Sequence, residues 1–207
     1  MASGSESGGY RPTRGIPAAV TIPPRAALRA RPVATPRLLL VPIELGDAPD
    51  LWEAIEASRW HLERWLPWVP FTNSPQAVER YAEACMADWD AGRAVRCAVR
   101  DRQSSALYGV VGLDSCVHLH QACELGYWLR HDVTGSGLMT EAARAMVEFA
   151  FSDLGMHRVR CAAATDNYPS LRVISRLEFR FEGTARHAEF VGARWVDHAV
   201  FARLSTD

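Results

Sequence analysis

The feature that most constrains the fold is a strand that runs into a glycine-containing loop and then into a long helix. The strand is Glu124-Leu-Gly-Tyr-Trp-Leu129, and Gly135 and Gly137 lie in the loop that follows. From Gly137 to Leu154, apolar residues recur every ~3 to 4 positions, which predicts an amphipathic helix. Glycine lets several backbone N–H groups converge at the helix start, where the helix dipole favours an anion. The segment therefore predicts an anion-binding turn, although a glycine-rich turn alone is weak support.

The elements around this segment predict a single α+β domain. A strand at 37–42 precedes three helices, at 47–55, 59–65 and 74–91, the last of which begins after Ser74 as a capping residue. Three apolar stretches follow, joined by connections too short for crossover helices, which predicts an antiparallel meander. With the later elements the order is β-α-α-α-β-β-β-α-β-α-β-β. We therefore expect a mixed α/β architecture with one twisted, mixed, mostly antiparallel sheet flanked by helices.

The first 36 residues differ from the rest in composition and charge. They hold six prolines and five arginines against one acidic residue, which is typical of a flexible leader. We therefore divide the chain into a leader, residues 1–36, and a domain, residues 37–207. The domain has more acidic than basic residues, so nucleic acid is not an expected partner of its core. The leader could make a weak electrostatic contact with RNA or an acidic partner, and a solvated leader without contacts is the simpler interpretation.

Composition excludes several kinds of chemistry and location. The 23 residues counted as Lys or Arg are all arginine, so a Schiff-base lysine, a P-loop lysine and a lysine base are excluded. No apolar run approaches the ~18 residues that cross a bilayer, and no membrane partner is expected. The five cysteines are an odd number without a C-x-x-C pair. We therefore predict a cytoplasmic protein.

One cluster of residue types that often bind metals occurs in the chain. Cys116, His118 and His120 alternate, so a continuous strand would place their side chains on one face. A tetrahedral zinc site needs a fourth ligand, and none follows at a suitable spacing. We therefore predict the end of a surface hairpin here and no bound metal.

Four motifs follow one another along the chain. They are the strand E-L-G-Y-W-L, the loop and helix start T-G-S-G-L-M-T-E-A, an N-x-x-S helix that closes with L-x-F, and the tail from Gly192 to Asp197. Together they resemble the GNAT acetyltransferase superfamily, and within it the ribosomal-protein N-terminal acetyltransferase branch, whose G-x-W-x-D ending is similar to the tail. Leu66-Pro67-Trp68 also fits its usual place after the second helix. The resemblance is carried by the combination, since each motif alone is common.

The resemblance implies acetyl-CoA as cosubstrate, held by the strand, the loop and the N-x-x-S helix. The implied contacts are Tyr127, Trp128, Leu129, Thr134, Gly135, Ser136, Gly137, Leu138, Met139, Thr140, Asn167 and Ser170. Two positions depart from the family pattern. Thr134 stands where the family has Gln or Arg, which removes a long side chain that would help to hold the loop. Glu178 stands where the family has glycine, which would be strained in a turn with positive φ.

The implied reaction is the direct attack of a primary amine on the acetyl thioester. Ser170 would donate a proton to the departing thiolate, and the backbone from Tyr127 to Leu129 would polarise the thioester oxygen. Glu124 beside the loop and Glu189 on the next-to-last strand are equal candidates for the base. Each also has a structural alternative, which for Glu124 is a strand-edge carboxylate paired with an arginine.

A protein N-terminus is the acceptor that the resemblance favours. At pH ~7.4 an α-amine is roughly a quarter neutral, whereas a lysine side chain is almost entirely charged. A small-molecule amine such as an antibiotic or a polyamine is the second interpretation, and a CoA-binding module without activity is the third. Trp65 and Trp68 flank Pro67 and are predicted to line the acceptor groove. The oligomeric state stays open, and a homodimer is compatible with the sequence.

Overall fold

The structure is a computed structural model that describes residues 19–207. The helices are α1 (Arg25–Ala30), α2 (Ala48–Leu62), α3 (Pro75–Asp90), α4 (Leu138–Ser152) and α5 (Tyr168–Arg176). The strands are β1 (Val33–Ala34), β2 (Leu38–Pro42), β3 (Val95–Asp101), β4 (Leu107–Val117), β5 (Ala122–Leu129), β6 (Arg158–Ala164), β7 (Arg180–Val191) and β8 (Arg194–Leu204).

All eight strands form one sheet in the order β1-β2-β3-β4-β5-β6-β8-β7. Neighbouring strands are antiparallel except β5 and β6, which run parallel. Their pairing ends at Glu124↔Arg160, and the two strands diverge beyond it. The backbone of Leu125–Leu129 is therefore open on its β6 side, as at the edge of a sheet. The predicted mixed, mostly antiparallel sheet is confirmed.

Helices cover both faces of this sheet. The apolar stripe of α4, including Ala142, Met146 and Ala150, is buried against one face together with Ile174 of α5. Helices α2 and α3 cover the opposite face. This packing holds β5 and α4 in place, and thereby positions the loop that joins them. None of the helices between residues 19 and 207 combines the length and apolar character needed to cross a bilayer.

Part of the segment that was predicted to be a flexible leader packs against the domain. Residues 1–18 lie outside the described residues. Beyond them, the Thr21 N–H donates to the Leu154 carbonyl at 3.0 Å, and the Trp89 indole N–H donates to the Pro23 carbonyl at 2.8 Å. Helix α1 follows, with Leu28 in the core and Arg25 paired with Asp90. For residues 19–36 the prediction of a flexible leader is therefore wrong, because local composition does not reveal that these residues find partners on the domain.

Local signals explain most element boundaries. The Ser74 hydroxyl accepts the Ala77 N–H at 3.2 Å, as predicted for the start of α3. Helix α2 continues to Leu62 where two separate helices were expected, because Ser58 and Leu62, four residues apart, both lie on its buried face.

The predicted hairpin end at 116–120 is a short turn and not a continued strand. Residues His118–His120 form a single 3-10 turn. The His118 ring Nε2 lies 2.7 Å from the Gly92 carbonyl oxygen. The three residues of the Cys-x-His-x-His pattern therefore do not share one strand face. Within residues 19–207, no group of three His, Cys, Asp or Glu side chains is arranged to hold a metal.

Glu178, two residues beyond the end of α5 at Arg176, has φ +63°. We expect Glu178→Gly to raise the free energy of unfolding by about 0.5–1 kcal/mol, since the strain of a left-handed residue exceeds the entropy that glycine costs. Urea unfolding followed by circular dichroism measures the change. The matched control is Glu148→Gly on the exposed face of α4, which should lower stability by about 1 kcal/mol. Equal destabilisation by both substitutions would show that Glu178 is not strained.

Candidate active site

A cleft of about 390 Å³ opens where β5 and β6 diverge. Its walls come from β5, the loop before α4, the first turn of α4, helix α5 and the end of α2. The predicted cofactor contacts that line it are Tyr127, Trp128, Leu129, Thr134, Gly135, Gly137, Leu138, Met139, Thr140, Asn167 and Ser170. Ser136 does not line the cleft, since its hydroxyl donates to the Val133 carbonyl at 2.9 Å. Residues from four separate elements are thus brought to one site.

The loop before α4 has the geometry of an anion-binding turn. Gly135 and Gly137 both have φ +81°, a conformation that side-chain-bearing residues rarely adopt. No side chain within residues 19–207 caps the N-terminus of α4, so its first N–H groups remain available to a ligand. The hydroxyl of Thr140 is also buried without a hydrogen-bond partner among the described residues. This combination of free donors and a positive helix end suits a phosphate group.

Tyr127 and Ser170 form a hydrogen-bonded pair in the cleft. The two hydroxyl oxygens are 2.9 Å apart. Asn167 positions the serine, because its side-chain oxygen accepts the Ser170 N–H and thereby caps α5. Burial raises the pKa of Tyr127, so the phenol keeps its proton. Tyr127 can therefore donate to Ser170, which leaves the serine hydrogen free to point at a ligand.

Glu124 lies at the point where β5 and β6 part. Its register partner on β6 is Arg160, and the guanidinium donates a short hydrogen bond to the Glu124 carboxylate. This is the ion pair that the structural alternative for Glu124 described. Neither Glu124 nor Glu189 lines the cleft. The Glu124 carboxylate would have to release the guanidinium to take up a proton at that oxygen.

Glu189 lies on β7 opposite Val196, and its carboxylate is 3.4 Å from His198 Nε2. The register of β7 shifts between Ala185 and Glu189. Asp197, the last residue of the tail motif, stabilises this bulge by accepting the His187 N–H at 2.8 Å. The tail motif thus holds a bulge that lies directly before Glu189. The sequence did not indicate His198, because its meeting with Glu189 depends on strand register.

Comparison with known proteins assigns the family. The family model described as an acetyltransferase (GNAT) domain matches residues 37–180. The chain belongs to this family. YdaF of Bacillus subtilis (strain 168), which carries a provisional name as a ribosomal N-acetyltransferase, is 28% identical over 170 residues, or 80% of this chain and 90% of YdaF.

Two further comparisons agree with this assignment. The ribosomal-protein-serine acetyltransferase of Escherichia coli (strain K12) is 24% identical to this GNAT protein over 154 residues, or 74% of this chain and 85% of that protein. A solved structure of RimL, a ribosomal L7/L12 α-N-protein acetyltransferase, in complex with coenzyme A has a TM-score of 0.80 at 22% identity. The match covers 85% of this chain and 98% of the RimL chain. The protein is a GNAT N-acetyltransferase that uses acetyl-CoA.

The cleft of this GNAT enzyme suits acetyl-CoA. The unpaired hydroxyl of Thr140 and the N–H groups of the glycine turn offer hydrogen bonds to phosphate oxygens. The open edge of β5 offers main-chain groups to an extended amide-containing arm, in the way that a sheet edge takes up a peptide. When bound, the cosubstrate supplies an acetyl group activated as a thioester. Tyr127 and Ser170 lie along the same cleft, beyond the turn.

The two predicted acceptor tryptophans occupy different places. Trp65 lines the cleft and packs against Ala164, Val191 and Val196, beside the strand positions of Glu189 and His198. Trp68 stacks on Tyr81 with ring centroids 6.4 Å apart and packs in the core under α2 and α3. Trp68 therefore does not line the cleft, although the sequence predicted that it lines the acceptor groove. The motif Leu-Pro-Trp indicated a loop. It did not indicate which of the two tryptophans lines the cleft and which packs in the core.

Three polar residues at the cleft were not indicated by the sequence. Arg172 and Arg176 of α5 contribute to its lining and bring positive charge to it. His61 of α2 also lines the cleft and lies against His131, with ring centroids 5.0 Å apart. Burial, His131 and Arg64 lower the pKa of His61, so the ring is neutral at pH 7. The spacing of four residues between His61 and Trp65 places both on one face of a helix and could have indicated this position.

Proposed function

We propose that this enzyme acetylates the N-terminal amine of a protein, with a ribosomal protein as the favoured acceptor. The observation that carries the proposal is that Trp65 lines the same cleft as the anion-binding turn and the Tyr127–Ser170 pair. Trp65 also packs against Val191 and Val196, which are strand neighbours of Glu189 and His198. A donor and an acceptor can therefore meet from two sides, as direct transfer requires. The names of the relatives YdaF and the serine acetyltransferase support a ribosomal acceptor.

Each residue of the site has a role in the proposed transfer. Glu189, held beside His198, takes a proton from the incoming amine, directly or through a water. Ser170 gives its proton to the departing thiolate while its oxygen accepts a hydrogen bond from Tyr127, and the proton that Glu189 took from the amine returns to the serine through solvent. Backbone N–H groups at the open edge of β5 stabilise negative charge that develops on the carbonyl oxygen.

An α-amine suits a site with these groups. With an ordinary pKa of ~7.8, it is already partly neutral near pH 7, so one carboxylate is sufficient help. The half-buried Trp65 offers an apolar wall to the first side chains of an extended chain. A polyamine or an aminoglycoside carries several positive charges and would be expected to need a more acidic groove than Trp65, Val191 and Val196 provide.

A panel of acceptors tests this proposal. Release of coenzyme A thiol is measured with ribosomal N-terminal peptides, with the same peptides blocked at the α-amine, and with free polyamines and aminoglycosides. We expect turnover with unblocked peptides alone. Turnover with small amines in place of peptides would assign the second interpretation. Binding of acetyl-CoA without turnover on any amine would assign the third, a binding module without activity.

The cellular location and the oligomeric state of the protein stay predictions. A cytoplasmic location follows from cysteine usage and is tested by cell fractionation. The oligomeric state, for which a homodimer is compatible with the sequence, is tested by light scattering of the purified chain.

A further inference from the structure

The side chain of Arg37 reaches the anion-binding turn from a distant part of the chain. Arg37 directly precedes β2, about one hundred positions before the turn. Its Nη1 donates to the Ser136 carbonyl at 3.0 Å, and its Nε donates to Glu141 at 2.6 Å. Its backbone N–H donates to the other oxygen of Glu141 at 2.9 Å. One residue thus holds both the loop and the first part of α4.

Glu141 is the fixed partner that orients this arginine. The Thr35 hydroxyl donates to it at 2.6 Å, and only 17% of its side chain is exposed. Burial acts to raise the pKa of Glu141, but the hydrogen bonds from Thr35 and Arg37 outweigh it and leave the pKa lowered. The carboxylate therefore stays charged and holds Nε of Arg37, a side chain that is 48% exposed, while Nη1 reaches Ser136.

The remaining nitrogen of the guanidinium faces the turn. Nη2 lies 3.7 Å from the position that a Cβ on Gly137 would take. It makes no hydrogen bond to a residue within 19–207. A positive charge with free N–H donors is thus placed beside the glycine that begins α4, where a phosphate would lie.

We propose that Arg37 is a positioning residue for acetyl-CoA, which holds the phosphate-binding turn in its binding conformation and presents Nη2 to the phosphates. By engaging the Ser136 carbonyl, Arg37 keeps that oxygen away from the cleft and the turn's N–H groups free for the ligand. It thereby supplies, from the position before β2, the long polar side chain that Thr134 lacks within the loop. This role rests on the proposed site for acetyl-CoA, but not on the identity of the acceptor.

Two ligands distinguish this role from a purely structural ion pair. Acetyl-CoA carries the phosphates, whereas acetyl-pantetheine has the same thioester arm without them. In binding titrations we expect Arg37→Met to weaken acetyl-CoA by about 10- to 100-fold, the effect of losing charged hydrogen bonds. The affinity for acetyl-pantetheine should be unchanged. The salt dependence of acetyl-CoA binding should also become shallower, because one cation near the phosphates is lost.

Arg102→Met is the matched control. Arg102 donates to the Thr35 carbonyl at 3.0 Å and its backbone N–H donates to the Arg37 carbonyl, but among the described residues no hydrogen bond joins it to the turn. This variant should keep the wild-type affinity for acetyl-CoA. Thermal unfolding of each variant separates stability from binding.

Several outcomes would overturn the inference. They are unchanged acetyl-CoA binding by Arg37→Met, equal loss of both ligands, or an equal loss in Arg102→Met. If Arg37→Met does not fold, Arg37→Lys replaces it, since lysine keeps the charge but cannot contact Ser136 and Glu141 together. It should weaken acetyl-CoA several-fold and leave acetyl-pantetheine unaffected, and equal binding of both ligands to Arg37→Lys and wild type would again overturn the inference. Failure of the wild-type protein to bind acetyl-CoA would refute the proposed site itself.

Discussion

Replacing Ser170 with alanine is expected to lower turnover by about 10²-fold, with little change in the affinity for acetyl-CoA. The hydroxyl is 2.9 Å from the Tyr127 hydroxyl and serves as the proposed proton donor to the thiolate. In the proposed site, binding is expected to depend chiefly on the glycine turn and the edge of β5, which the substitution leaves intact. Steady-state kinetics give kcat, and isothermal titration gives the dissociation constant of acetyl-CoA. Unchanged turnover would remove Ser170 from the mechanism.

The role of Tyr127 is tested with the same assay. Because Tyr127 acts through Ser170, Tyr127→Phe should lower kcat less than Ser170→Ala does. The double variant should be no slower than Ser170→Ala alone, since the phenol has no effect without the serine. The matched control is Ser175→Ala on an exposed position of the same helix, which should behave as wild type. Additive losses in the double variant would mean that the two hydroxyls act independently.

Replacing Glu189 with glutamine is the second large effect, an expected fall in kcat of about 10²-fold at pH 7. Glutamine has nearly the same shape but cannot take up a proton from the amine. The variant then depends on amine that is already neutral, so its rate should rise with pH until the α-amine, with a pKa of ~7.8, is deprotonated. The measurement is kcat against pH at saturating acetyl-CoA.

Two further glutamine variants show whether the effect is specific. Glu182→Gln removes a carboxylate from the same strand that is paired with Arg158, and it should leave kcat unchanged. Glu124→Gln breaks the ion pair with Arg160 and should affect kcat less than Glu189→Gln. If Glu124→Gln has the larger effect on kcat, the assignment of the base is reversed. If neither variant changes kcat or its pH dependence, neither carboxylate is the base.

The strand, turn and helix from Glu124 to Leu154 were predictable because their signals are local. Glycines at positions of positive φ, a capping serine and apolar periodicity each act within a few residues. The order of the elements from β3 to β8 along the chain and the fold class followed from such signals and from short connections. Residues 19–36 were mispredicted for the same reason, since composition is local and the contacts of Leu28 and Pro23 are not.

The parts of the site that could not be predicted depend on contacts between distant residues. The Tyr127–Ser170 pair joins positions 43 apart, and the contact of Arg37 with Ser136 joins positions 99 apart. The approach of His198 to Glu189 depends on a bulge in β7 that no local sequence pattern predicts. The departure at Thr134 was visible in the sequence, but the guanidinium that lies beside the same loop was not.

The central claim is that this enzyme transfers an acetyl group to an α-amine. The most direct test incubates the protein and acetyl-CoA with a ribosomal N-terminal peptide that also contains a lysine, and follows the peptide by tandem mass spectrometry. The expected result is the mass increase of one acetyl group, located at the N-terminus, with about 10²-fold less product from Ser170→Ala over the same period. Acetylation at the lysine side chain alone, or no mass change while a free polyamine is acetylated, would contradict it.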